Sequence, residues 1–432
     1  MKTKKILLFI SFFFLLQGNI MSATITSVNY QDKKIPLIFE KHPTLPIFNL
    51  QLIFKNSGYI QDKNKSGLTS LTSKILEEGT LKDGAVKFAR KLENKAISID
   101  IANGFETFVI EVSCLKSEYK TALKLLNDLL QNPNLTKATL DKLKKLQVSK
   151  LTQKENDFDY IAKLNLKKLV FKNTALENSS SGTIESIKNI TIEDIKKNIS
   201  NIYNLDNLII LAGGDVTLKE IKKSIIPILY NFKFKGATNS KKIKINKSVQ
   251  NSIIKKDTKQ AYIYFASDFN FDSKDINSYK AKVASFILGG SGFGSRLMEE
   301  IRVKRGLAYS AYGHILVNST HSYFTGYLQT KLENQEEAKK LVSSIVKDFT
   351  KKGVTLKELE SAKKFLLGSE PLKSETFSQR QNRAFNLFYK GLDQNYPKQE
   401  LEMIQNLSID DLNSFIKEHT ELNQLSFSIV TK

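Results

Sequence analysis

The sequence predicts an α+β protein built from two duplicated halves, each a mainly antiparallel mixed sheet with helices packed on one face. Three observations lead there. The chain has 432 residues, more than one hydrophobic core accommodates, so at least two domains are expected. Its extended runs are grouped together and its helix-period segments are grouped together, instead of alternating one by one. Both groups then occur twice. Ile190–Leu211 (ITIEDIKKNISNIYNLDNLIIL) matches Leu407–Ser428 (LSIDDLNSFIKEHTELNQLSFS) without a gap. Each copy opens on an N-cap residue, Thr191 or Ser408, followed by Ile and an acidic pair. Those residues satisfy free N–H groups and complement the helix dipole. Thr139-Leu140 against Thr355-Leu356, and Ser73–Glu78 against Ser295–Glu300, give two further correspondences. Their offsets are 217, 216 and 222 residues, in the same order along the chain.

Taken in order, residues 1–23 read as a secretory signal. Lys2, Lys4 and Lys5 precede the apolar run Ile6–Leu16, and the small residues Ser22 and Ala23 follow. The run is shorter than the roughly 20 residues a spanning helix needs, so the signal is expected to be cleaved. The first half occupies 24–231, with extended runs at Lys34–Glu40 and Phe48–Lys55, paired strands at Ser98–Ala102 and Thr107–Leu115, long helices, and a closing helix and strand. Residues 232–256, rich in Lys, Asn and Ser without helix periodicity, are expected to link the halves. The second half, 257–432, repeats the order with strands at Gln260–Asp268, Leu307–Val317 and Ser322–Lys331.

Composition narrows the function. One cysteine, Cys114, permits no intrachain disulfide, so an exported chain of this kind points to a bacterial periplasm or the medium. Cys114 lies in an apolar strand and reads as core. The net charge of +22 invites a nucleic-acid partner. However, the lysines are scattered over helix faces with no base-stacking motif or zinc-finger spacing, so a solvated basic surface is expected.

The most informative stretch is Gly289–Gly313. Of 66 Lys and Arg residues only six are Arg, and Arg296, Arg302 and Arg305 fall within ten residues here. Arg offers a planar fork of donors that Lys lacks. Tyr309 follows Arg302 by seven residues, across a Gly-Leu-Ala step from helix to strand, so a guanidinium and a phenol are placed together where a peptide can be held. Gly289, Gly290, Gly292 and Gly294 lack the following Gly-Lys-Ser/Thr of a phosphate loop. They are expected to break a helix and admit a close backbone approach.

The repeated α+β halves and the phrase LGGSGFGSRLMEEIRVKRGLAY resemble the insulinase/pitrilysin-type zinc peptidase family, which includes the mitochondrial processing peptidases. The resemblance covers essentially the whole mature chain and implies a clamshell of two halves enclosing extended or unfolded peptides. The family's His-x-x-Glu-His phrase corresponds to Gly67–Thr80 here, with Ser70 and Lys74 at the two histidine positions and Ser73 at the glutamate. The third ligand position aligns near Lys150. Zinc requires three good donors and an open site, so no metal is expected on this chain. The resemblance assigns peptide-backbone binding and carbonyl polarisation to the positions of Arg302 and Tyr309. Some bacterial members act as pairs, one chain carrying zinc and the other the Arg-Tyr pair. A non-catalytic subunit of an exported heterodimeric metallopeptidase is the expectation, with zinc in a relative of similar size. Two other readings stay open: a peptide-binding or scaffolding protein of the envelope, and an autonomous peptidase using His42, Glu77 and Glu78. The remaining histidines, His314, His321 and His419, have no ligand-pair spacing on one helix.

Overall fold

The computed structural model describes residues 23–432, so the expected signal falls, but for Ala23, outside the described residues. The first half runs β1 (Thr24–Tyr30), β2 (Lys33–Lys41), β3 (Ile47–Lys55), α1 (Leu68–Leu76), α2 (Gly84–Glu93), β4 (Ser98–Asn103), β5 (Thr107–Leu115), α3 (Tyr119–Gln131), α4 (Lys137–Gln153), α5 (Phe158–Val170), α6 (Ile184–Asn189), α7 (Ile192–Ile202), β6 (Leu208–Gly214) and α8 (Leu218–Leu229). The second runs β7 (Asn251–Lys255), β8 (Gln260–Asp268), α9 (Ser278–Ser285), α10 (Arg296–Met298), β9 (Ala308–Val317), β10 (Ser322–Lys331), α11 (Gln335–Lys352), α12 (Leu356–Gly368), α13 (Phe377–Lys390), α14 (Tyr396–Asn406), α15 (Ile409–Glu418) and β11 (Ser426–Thr431). Among the described residues no helix is long and apolar enough to cross a membrane.

The duplication is visible in the sheets. The first has the order β1-β2-β6-β3-β5-β4 and the second β7-β11-β8-β10-β9. Each contains one parallel pair, β2 with β6 and β7 with β11, and is otherwise antiparallel. Removing edge strand β1 makes the two orders identical. Thr191 and Ser408 cap equivalent helices, each accepting a bond from the backbone N–H three residues on. The other two correspondences slip. The cap equivalent to Thr355 is Thr136, three residues before Thr139. The helix following β8, and so the counterpart of α1, is α9; Ser295–Glu300 belongs to the next helix. An amphipathic helix start with an acidic pair recurs too readily to fix register by itself.

Period-two alternation gives each sheet two apolar faces. Leu52, Phe54, Leu208 and Ile210 enter the core under the first half's own helices, while Ile53, Ile209 and Leu211 point the other way. That second face is covered by a helix from the opposite half. Ala384 of α13 packs on Ile38, Ile53, Ile209 and Leu211, and Ala162, Leu166 and Val170 of α5 pack on Tyr264, Ala266 and Val430 of the second sheet. The halves thus exchange one helix each.

The stretch 232–256 is stitched to both halves. Phe232 is buried in the first core, Ile245 lies in the apolar cluster beside α5, and Asn246 donates its backbone N–H to Val170 at 2.8 Å. Its last residues form β7, whose partner β11 ends the chain; a five-residue strand paired so far away in sequence leaves little local signal.

A degenerate metal helix and an exposed arginine–aromatic stack

In the first half the buried Asp62 carboxylate caps α1, accepting from the N–H of Gly67 at 2.9 Å and of Thr69 at 3.0 Å. Burial nevertheless pushes its pKa up to about 6. The cap points α1 so that Ser70, Ser73 and Lys74 share one region, as the sequence predicts. Ser73 Oγ lies 2.9 Å from the Ser70 carbonyl oxygen and 3.1 Å from Asn103 Oδ1. Lys74 Nζ donates to Gln147 Oε1 of α4, and Gln147 Nε2 donates in turn to the Ser181 carbonyl at 3.0 Å. The residue facing Lys74 is therefore Gln147, one turn before Lys150. Burial, then the neighbouring Lys150, lower the Lys74 pKa, opposed by Glu77.

These residues do not fit zinc. Two serine hydroxyls, that of Ser73 engaged with neighbouring oxygens, and an amine hydrogen-bonded to an amide replace the two imidazoles and the carboxylate such a site needs. The His42, Glu77 and Glu78 alternative also fails. Glu77 accepts from the Ile101 N–H at 3.1 Å, Glu78 pairs with Lys142, and His42 bonds Thr44 and packs on Phe377. Among the described residues no cluster of three His, Cys, Asp or Glu side chains is placed to hold a metal ion.

The second half brings Arg302 and Tyr309 together. Arg302 lies in a π-helical turn, Glu299–Val303, and Tyr309 is the second residue of β9. The guanidinium carbon sits 4.5 Å from the Tyr309 ring centroid and 4.7 Å from that of Phe293. Tyr309 is 82% exposed and Phe293 66%, so two open rings stack on a half-buried cation. Sequence reading missed Phe293, although an apolar aromatic flanked by two loop glycines was a usable signal. Gly292 and Gly294 have φ of 67° and 91°, which favours glycine and sets the Phe293 backbone outward.

The remaining glycines act within the chain. Gly289 and Gly290 close a π-helical turn, Phe286–Gly290, where the helix ends, and Gly292 and Gly294 lie in the loop before α10. A Cβ on Gly289 would stand 2.5 Å from the Gly313 nitrogen, so the close approach is that of β9, not of a ligand. Arg296 grips Glu358 through Nε and Nη2 at 2.5 and 2.8 Å, and Arg305 holds Glu300 at 2.6 Å; both are structural. His314 is exposed on β9, whereas His321 is surrounded by Phe105, Phe171 and Tyr323. Cys114 is buried in the first core, which pushes its thiol pKa up to about 11.

The fold and the side chains on α1 together define a peptidase-like architecture whose first helix offers no metal-ligand set. Residues 38–184 match the family Insulinase (Peptidase family M16) and residues 189–366 the Peptidase M16 inactive domain. A Helicobacter pylori protein described as non-peptidase homolog YmxG is 42% identical, over 96% of this chain and 97% of that one. A crystal structure of a peptidase M16 inactive domain from Pseudomonas fluorescens superposes with a TM-score of 0.84 at 23% identity, covering 94% of this chain and 97% of that one. A protease from Helicobacter pylori shares the fold at a TM-score of 0.82 and 16% identity, covering 95% and 100%. The chain belongs to peptidase family M16, the insulinase family, as a non-catalytic member.

Proposed function

We propose that this chain is the non-catalytic subunit of an exported two-chain metallopeptidase, holding peptide for a zinc-bearing relative of similar size. The observation that carries the reading is the asymmetry between the two constellations. The metal positions Ser70, Ser73 and Lys74 have become a hydrogen-bonded structural cluster, while Arg302 and Tyr309 remain paired on an open surface. A phenol O–H is suited to a developing oxyanion, and an Arg fork to peptide carbonyls. The relatives support a pairing: Helicobacter pylori has a 42%-identical non-peptidase homolog and also a protease of this fold, only 16% identical to this chain. The charged start, apolar run and small residues of 1–23 support export to a periplasm or the medium.

Mixing the purified chain with its zinc-bearing relative is expected to yield a complex that cleaves peptides faster than either chain alone. Tyr309→Phe or Arg302→Ala is then expected to lower kcat by about 100-fold, the usual loss of one oxyanion donor. Full activity of the zinc-bearing chain by itself, unchanged by this chain, overturns the proposal.

A further inference from the structure

Arginine is rare in this chain, and most of its copies have one use. Arg296 holds Glu358, Arg305 holds Glu300, Arg380 holds Glu40 and Arg383 holds Glu370, at 2.5, 2.6, 2.8 and 2.5 Å. Four of the six arginines therefore grip a carboxylate of the chain itself. Arg90 stands exposed on α2. Arg302 is the different case: half-buried, oriented by two rings, and without an acidic partner among the described residues. The nearest acidic side chain in sequence on its own turn, Glu300, is committed to Lys304 and Arg305.

We propose that the missing carboxylate is supplied by the bound peptide, and that Phe293, Arg302 and Tyr309 form a receptor for a peptide carboxylate. The inference rests on the peptide-holding reading above and names its substrate class: chains presenting an Asp or Glu side chain, or a free C-terminus. Ring contact over the guanidinium plane leaves the N–H edge for a ligand, and a carboxylate matches two parallel N–H donors where a carbonyl matches one. The rings hold the fork in one orientation, so little rotamer freedom remains to be lost on binding. Their exposed faces receive apolar residues flanking the acid. Lys at this position would keep the charge but neither stack as a plane nor present a fork. The net charge of +22 draws acidic chains toward the surface in general; Arg302 adds a fixed geometry to that attraction.

The test is fluorescence anisotropy with the full mature chain and three labelled peptides of one uncharged sequence. One carries a single internal Asp and an amidated end, one a free C-terminal carboxylate, and one is amidated and neutral. At least one acidic peptide is expected to bind about tenfold more tightly than the neutral one, the scale of a charge-assisted pair, and which one identifies the source of the carboxylate. Arg302→Lys, which preserves net charge, is expected to abolish that preference while thermal unfolding stays unchanged. Phe293→Leu is expected to weaken it severalfold. Equal binding of all three peptides, or a preference that survives Arg302→Lys, overturns the inference. Equal binding that is nonetheless lost in Arg302→Ala leaves peptide holding intact and removes only the acidic preference. Acid-selective binding by a chain that never activates its relative has the opposite consequence.

Discussion

Helices α5 and α13 are the same element in two copies, each laid across the sheet of the opposite half, yet they are seated by different forces. The α5 seat is apolar, with hydrogen bonds across it from Tyr264 and Asn165. Ala162, Leu166 and Val170 are buried against Tyr264, Ala266 and Val430. The Tyr264 hydroxyl lies 2.9 Å from both Asp159 oxygens, and Asn165 Nδ2 donates to Ser428 Oγ at 2.9 Å. The α13 seat buries Ala384 in its apolar cluster, with Phe385, Phe388 and Tyr389 packed beside it, and adds an ion pair, Arg380 Nε to Glu40 Oε1 at 2.8 Å, with Glu40 only 1% exposed. Glu40 Oε2 and Gln381 Nε2 are buried there without a partner. Duplication has preserved geometry while the energetics diverged: both exchanged helices bury apolar area, and α13 adds a buried charge pair with its desolvation cost. The joint between the halves is therefore asymmetric.

The largest expected effect comes from breaking the charged seat. Arg380→Leu leaves Glu40 buried without its cation and is expected to cost about 3–5 kcal/mol, the usual penalty for halving a buried pair. The pH dependence has a definite sign. Burial already raises the Glu40 pKa, with Arg380 opposing. A raised carboxyl pKa means the folded state binds protons more tightly, so stability is lost as pH rises through the folded value. Without Arg380 the pKa climbs further, and urea unfolding is expected to show a larger deficit at pH 8 than at pH 5. A deficit under 1 kcal/mol at both would mean that the pair does not seat α13.

The second effect sharpens the picture at the α5 end. His321 packs on Phe171, just after α5, and burial, with Lys167 of α5 as the second cause, lowers its pKa to about 4. Its folded value lies below the unfolded value of about 6.5. Stability is therefore complete above pH 6.5 and falls as pH drops toward 4, by about 3 kcal/mol if fully expressed. Asp62, raised to about 6, works in the opposite direction below pH 6, so the measurement is the difference between wild type and His321→Gln. That difference is expected to shrink or reverse between pH 7 and pH 4.5 in favour of the variant. A constant difference shows that the folded state accepts His321 charged.

The sheets were legible because their strands read as apolar runs, alternating in β5 and β10 and near-continuous in β3 and β8: seven of the eleven strands among the described residues, these four included, lie within a residue or two of the runs marked by sequence. The helix exchange was not, because Leu166 and Ala384 sit at ordinary apolar positions of ordinary amphipathic helices. Nothing in a helix's own pattern says which sheet it covers. That Ser70, Ser73 and Lys74 share one helix was legible since they fall inside a fixed phrase. Gln147 was not, because its role depends on the rotation of α4 against α1. Arg302 and Tyr309 were found by rarity and spacing, while Phe293 required knowing that Gly292 and Gly294 turn it outward.

The smallest expected effect tests whether the α13 seat is loose because its polar groups lack partners. Gln381 is 1% exposed and its Nε2 finds no acceptor; a Cβ on Gly213 would come within 2.9 Å of that nitrogen, so the amide is pressed onto bare backbone. An orphaned buried donor costs about 1–3 kcal/mol, and replacing it by an apolar group of similar shape removes that cost. Gln381→Leu is therefore expected to stabilise the protein by about 1 kcal/mol, read as a higher urea midpoint with an unchanged slope. Amides of α13 are expected to exchange with solvent more slowly in the variant, while those of α5 do not change. If the midpoint falls instead, the amide has an acceptor in solution and the weakness of this seat lies in the Arg380–Glu40 pair alone.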